Sequence, residues 1–215
     1  MPRKTKQNKI TSEDLIAQIN PENKQLLEDY VAYMKSVSRS DKTIEGYISD
    51  LHIFFVWLLQ KANNKFFVNI TKRDIISFQG YMVNTLQNSP ARVRRVKSSL
   101  SALSNYIEAV CDDVYPQFRN IINKVENPPN EPVREKTVFS DEDIQKLLDY
   151  LVEKKQYQKA CAVALGAFSG SRKSEIPRFK HWYFVEENIV FGSLYKTPET
   201  IKTKGRGKNG KQLVR

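Results

Sequence analysis

The sequence predicts a mainly helical chain in two parts, with a small β-rich portion towards residue 215. Three observations carry that reading. Apolar residues recur three and four apart in four successive stretches within residues 21–110. A proline-bearing segment with no apolar period, residues 126–137, then interrupts the pattern. Beyond it, two more helical stretches give way to short runs of β-branched and aromatic residues around polar and glycine-rich turns.

The chain has 215 residues, 40% hydrophobic and 27% charged, enough for two small cores and too apolar for a disordered tail. Its formal net charge of +11 points to a polyanionic partner, because Lys and Arg release counterions when they meet phosphates. The longest apolar runs, residues 53–59 and 161–168, are too short to span a bilayer, and the N-terminus lacks a signal-peptide core. The expected setting is the cytoplasm, on the nucleoid, with no membrane partner. Cys111 and Cys161 read as reduced core thiols, and no clustering of His and Cys suggests a metal site.

Residues 1–20 open with a run of Lys and Arg and read as a basic mobile arm. Asn20-Pro21 starts a first helix with the apolar stripe Leu26, Leu27, Tyr30, Val31 and Met34, ending near Ser38. Ser40 caps a second, carrying Ile44, Tyr47, Ile48, Leu51, Phe54, Phe55, Leu58 and Leu59. His52, beside that stripe, reads as a half-buried packing residue. Thr71 caps a third helix through Ile75, Ile76, Phe78, Tyr81, Met82 and Leu86. Ser89-Pro90 starts a fourth, with Val93, Val96, Leu100, Leu103, Tyr106, Ile107 and Val110 as its stripe. Arg92, Arg94, Arg95 and Lys97 crowd its opening turns with no Asp or Glu among them, a pattern suited to phosphates at a helix start. Residues 115–125 read as one more short helix.

After the linker, Ser140 caps a helix bearing Ile144, Leu147, Leu148 and Leu151, with acidic residues at its positive end. A small-residue-rich helix from Tyr157 through Ala160, Ala164, Leu165 and Phe168 then delivers the chain to Gly170 and Arg172. Residues 182–185 and 189–191 read as two β-runs around Glu186-Glu187-Asn188. Residues 200–204 and 211–214 flank the glycine-rich stretch 205–210 and read as a β-hairpin.

Phe168-Ser169-Gly170-Ser171-Arg172-Lys173-Ser174-Glu175-Ile176 resembles the first catalytic box of the tyrosine recombinase (phage integrase) family. The Ser40-x-x-Thr43-Ile44-x-x-Tyr47 start of the second helix resembles that family's core-binding domain. The resemblance implies a SAM-like helical core-binding domain over residues 21–125, the linker 126–137, and the N-terminal part of an α+β integrase-type catalytic domain with a small sheet over 138–215. It makes Arg172 the arginine that grips the scissile phosphate, a role suited to a planar, permanently charged fork. Glu175 becomes structural support for that site. The hairpin carries the family's catalytic lysine, here Lys202, with Lys204 and Lys208 as alternatives. Lys42, Thr43, Arg92, Arg94, Arg95 and Lys97 become the DNA-binding set.

The implied full-length reaction is DNA strand exchange through a 3′-phosphotyrosyl linkage, with no metal or other cofactor, by a homotetramer on double-stranded DNA. The family's remaining requirements, a His-x-x-Arg box, a further His or Trp and a late tyrosine, have no match here. His52 and His181 lack an arginine three residues on, and every tyrosine precedes residue 205. The sequence therefore reads as a truncated recombinase, inactive alone. Its rivals are a stand-alone DNA-binding protein or decoy that occupies recombination sites, and a helical interaction protein with an incidental basic surface.

Overall fold

The computed structural model describes residues 10–129, 138–204 and 211–214. The chain divides into two compact units, Met1–Arg134 and Glu135–Arg215. Unit 1 holds helices α1 (Glu13–Ala17), α2 (Pro21–Ser36), α3 (Asp41–Lys61), α4 (Lys72–Gly80) and α5 (Pro90–Val110). Unit 2 holds α6 (Asp141–Glu153) and α7 (Tyr157–Phe168), then strands β1 (Ile189–Val190), β2 (Leu194–Tyr195), β3 (Ile201–Lys204) and β4 (Lys211–Leu213). No helix among the described residues is long and apolar enough to cross a membrane.

The helices begin where short polar side chains can satisfy their free amides. Asn20, Ser40, Thr71, Ser89 and Ser140 each accept from an amide of the first turn, each cap contributing about 1 kcal/mol. Pro21 and Pro90 occupy first-turn positions where no donor is needed.

Unit 1 is organised around α3, whose Leu51, Phe54, Phe55, Val56 and Leu58 are fully buried. Phe78 of α4 meets Phe54 edge-on at 4.8 Å and Trp57 at 5.4 Å between ring centroids. Val93, Val96, Leu100, Leu103 and Ile107 of α5 complete the core. Buried Asn23 stitches α2 to the segment after α3: its amide donates to the Lys65 carbonyl at 3.0 Å and its oxygen accepts from the Phe67 amide at 2.8 Å.

Several sequence expectations change. The arm drawn as residues 1–20 is too long, because Ile10, Leu15 and Ile16 pack on the core, Ile19 is buried, and Ser12 caps α1. Residues 1–9 lie outside the described residues. Residues 115–125 form turns and a single 3-10 turn, Ile122–Lys124, instead of an α-helix. There Asn120 donates to Ser101 and Asn105 and accepts from the Ile122 amide, so side-chain bonds replace a helical ladder. The third helix is α-helical only to Gly80 and continues as a wider π-turn over Tyr81–Thr85.

Unit 2 departs further. Residues 182–185 are not a strand: His181–Tyr183 and Glu186–Asn188 are 3-10 turns, locked by the Asn188 amide on the Tyr183 carbonyl at 3.0 Å. The first hairpin is instead β1–β2, with Ile189 opposite Tyr195 and Val190 opposite Leu194. The second is β3–β4, antiparallel, with Ile201 opposite Leu213 and an irregularity between Lys202 and Lys204. Its expected glycine-rich tip lies outside the described residues. Cys161 is exposed and Cys111 only half-buried, so neither is the core thiol expected. Phe139, Tyr157, Phe168, Phe191 and Leu194 are exposed in unit 2, in contrast to the closed core of unit 1.

Candidate nucleic-acid interface

The basic start of α5 is built on a buried acid from α3. The Asp50 side chain is 2% exposed, and Arg92 Nη1 lies 2.6 Å from Oδ1 while Arg95 Nε lies 3.3 Å from Oδ2. Ser99 Oγ donates to the same Oδ2 at 2.8 Å. A carboxylate removed from water requires such partners, and each arginine meets it through one edge while its side chain reaches solvent, Arg92 35% and Arg95 58% exposed. Gly46, one helical turn before Asp50, lets the Arg95 guanidinium lie against the α3 backbone. A Cβ there would sit 2.7 Å from Arg95 Nη2. One further turn back on the same helix face is Lys42, exposed, next to the half-buried Thr43, whose hydroxyl hydrogen-bonds Ser40 Oγ at 2.8 Å.

Lys97 does not belong to this exposed set. It is 4% exposed, and its ammonium donates to Gln79 Oε1 at 2.9 Å and to the carbonyls of Val125 and Glu126 at 2.8 and 3.3 Å. Burial, and secondarily the Arg94 charge, hold its pKa below the ordinary lysine value. Lys97 is thus a strut beneath the surface. Arg94 is exposed, but its Nε and Nη2 both donate to the Pro128 carbonyl, at 3.2 and 2.7 Å. Together the two cations fasten residues 125–128, the start of the expected linker, to α5. Residues 130–137 lie outside the described residues.

In unit 2, α7 ends at Phe168 and Gly170 takes a left-handed conformation with φ 61°, which turns the chain so that Arg172 emerges at the surface. Glu175 is fully buried and closes the loop on itself. Its Oε1 accepts from Arg172 Nη1 at 2.8 Å and its Oε2 from the Arg172 amide at 3.1 Å. The guanidinium is held by one edge and remains 57% exposed.

Lys202 lies on β3 between buried Ile201 and Thr203, so its side chain points to the opposite face of the strand. Arg178, in the 3-10 turn after the Arg172 loop, donates to the Lys202 carbonyl, and Lys180 bridges Glu199 at 3.1 Å. These bonds bring the segment that follows Arg172 beside the strand that carries Lys202. Donating a hydrogen bond to the Glu199 carboxylate raises the Lys180 pKa. The Lys204 side chain and all of Lys208 lie outside the described residues. His52 is half-buried, and burial lowers its pKa.

Sequence reasoning missed Asp50, Gly46, Ser99 and Arg178. Asp50 carried a usable signal, being an acid beside Leu51 that falls on the apolar side of α3. Arg178 and Ser99 carried none, because their partners are distant in sequence.

Residues 26–117 match the family described as phage integrase, N-terminal SAM-like domain. Over 205 residues the sequence is 28% identical to the SPbeta prophage-derived recombinase-like protein YomM of Bacillus subtilis (strain 168), an alignment covering 94% of this chain and 60% of that relative. The chain thus spans well under two thirds of the curated relative's length. A lambda integrase dimer bound to a COC′ core site superposes with a TM-score of 0.55 at 17% identity, covering 95% of this chain and 52% of that one. That likeness concerns the fold. XerA recombinase aligns over 89% of this chain and 58% of its own, with a TM-score of 0.39 and 18% identity. The domain match and the recombinase-like relative agree with the mainly helical fold: residues 26–117 are similar to the phage integrase N-terminal SAM-like domain, and most of the chain is similar to a recombinase-like protein.

Proposed function

We propose that these residues are the DNA-engaging portion of a site-specific tyrosine recombinase, with unit 1 gripping duplex backbone and unit 2 supplying the first catalytic side chains. The observation that carries the reading is the solvent-facing arginine pair Arg92 and Arg95, held on one buried carboxylate at the start of α5. Arg94 beside them, with Lys42 and Thr43 on α3, extends a cationic face, and the +11 net charge favours the same partner.

In unit 2 Arg172 stabilises the charge that develops on the scissile phosphate, and Glu175 preorganises its guanidinium and its backbone. Lys202 protonates the leaving 5′ oxygen, with Lys204 and Lys208 as the alternative donors on the same hairpin. The reaction is strand exchange through a 3′-phosphotyrosyl linkage, performed as a homotetramer on DNA without metal or other cofactor. His52 is followed by Ile53-Phe54-Phe55 and His181 by Trp182-Tyr183-Phe184, so neither supplies a His-x-x-Arg box. Alone, these residues occupy DNA without cutting it, as a decoy regulator would.

The test combines binding and chemistry. The 215-residue chain should bind duplex DNA with a steep salt dependence and form no covalent adduct with a nicked suicide substrate. Salt-independent binding would remove the DNA interface, and an adduct would show that a nucleophile is present after all.

A further inference from the structure

The arginines of the proposed DNA interface are held in place within the protein itself, and their role as a clamp rests on that proposal. Arginine side chains at a helix start are long and mobile, and immobilising one on a phosphate costs rotamer entropy at the moment of binding. The α3–α5 contact removes that freedom beforehand. Asp50 Oδ1 takes Arg92, and Oδ2 takes both Arg95 and Ser99, so both carboxylate oxygens are engaged. Ser99 also donates to the Arg95 carbonyl at 3.4 Å and so belongs to the same turn of α5. The remaining guanidinium N–H groups of Arg92 and Arg95 meet no acceptor among the described residues, and the two side chains stay 35% and 58% exposed. Gly46 completes the seat, because only a residue without a side chain lets Arg95 lie over α3 at this depth.

We infer that Asp50 and Gly46 are positioning residues: a buried anion and an open patch of helix backbone that fix the Arg95 guanidinium, with Arg92 as the second arm, as a preformed clamp for one DNA phosphate. The arrangement explains a buried acid on the inward side of α3, beneath the proposed DNA interface. It neutralises one positive charge and in return orients two forks, a favourable exchange where geometry limits affinity. It also explains a glycine inside a long helix, where alanine would ordinarily be preferred.

Gly46→Ala separates this role from a structural one. Alanine is the better helix former, and the only atoms its Cβ approaches are the terminal Nη2 and Cζ of Arg95, which can swing out to solvent, so the thermal midpoint should hold or rise. Affinity for a short duplex, read by fluorescence anisotropy at fixed salt, should nevertheless fall roughly threefold to tenfold. The same substitution in an Arg95→Ala background should change affinity by less than about twofold, since the side chain it displaces is gone. Equal loss in both backgrounds, or no loss in the first, overturns the seat. If Arg95→Ala itself leaves affinity and salt slope unchanged, the proposed DNA interface fails at that residue.

Discussion

Lys97 donates its ammonium to the carbonyl of Val125 at 2.8 Å, and it thereby leaves the exposed cluster to which its neighbours in sequence belong. Lys97→Met keeps most of the stem's packing but strips Val125, Glu126 and Gln79 of their shared donor. Gln79 and Val125 are half-buried and Glu126 is exposed, so water replaces part of what is lost, and the stability loss read from the denaturation midpoint should be less than the roughly 1–3 kcal/mol that a fully buried orphan would cost. The salt slope of DNA binding should stay within experimental scatter of the parent. A stable variant that loses a unit of slope would return Lys97 to the interface.

Arg94→Ala and Arg95→Ala should behave oppositely to Lys97→Met. Each should weaken duplex binding and flatten the salt slope by about one unit while leaving the folded state largely intact. Isotherms across a series of salt concentrations, with thermal melts alongside, make the comparison.

Phe54→Ala should be among the most damaging substitutions in unit 1. The ring is fully buried and contacts Phe55, Trp57, Phe67 and Phe78, leaving no space that small movements can refill. A loss of about 3–5 kcal/mol is expected from urea unfolding. Less than about 1 kcal/mol would mean that the core is not packed around this ring.

Acid should destabilise unit 1 in two stages. Burial lowers the His52 pKa below its ordinary 6.5, so the unfolded chain takes up a proton first and stability falls as pH drops through that value towards the folded one. Asp74 differs: burial alone would raise its pKa, but hydrogen bonds from Lys65 and Thr71 outweigh burial and hold it below the usual 3.8. Its stabilisation is present above 3.8 and is lost as pH falls through the depressed folded value. His52→Gln should flatten the first stage and Asp74→Asn the second, in urea midpoints measured from neutral to strongly acidic pH. Unfolding curves that keep both stages in both variants would assign them to other groups.

Catalysis offers the remaining test. In a polypeptide that joins these residues to a tyrosine nucleophile, Arg172→Ala should reduce covalent adduct by about a hundredfold or more while duplex affinity changes little. Lys202→Ala should slow cleavage, and a 5′-phosphorothiolate leaving group, which needs no protonation, should restore it. Rescue of Lys204→Ala or Lys208→Ala in its place would move the proton donor along the hairpin.

Much of unit 1 was legible because its signals are local. Ser40, Thr71 and Ser89 announce helices through bonds to amides a few residues on, and spacing alone exposes the stripes of α3 and α5. Lys97 could have been placed by the same spacing, since it falls between Val93, Val96 and Leu100 on the inward face. Charge overrode period in reading it outward. The loop at residues 115–125 and the turns at 181–188 were not legible, because Asn120 and Asn188 act through partners that sequence does not reveal. At the candidate site, the Arg172 box was recognisable from its neighbours, whereas the tie from Arg178 to the Lys202 carbonyl exists only once β3 has folded beside it.

The apolar side chains that unit 2 leaves in water, Phe168 at 67% and Phe191 at 93% exposed among them, give the protein two opposed responses to ionic conditions. If Arg94 and Arg95 grip DNA as proposed, added sodium chloride should screen them and release the duplex. Sulfate and phosphate also strengthen the burial of apolar surface, so unit 2 is expected to self-associate more readily in them than in chloride. Purification and binding assays in chloride at modest ionic strength therefore read the DNA interface by itself, whereas in sulfate light scattering rises as anisotropy falls.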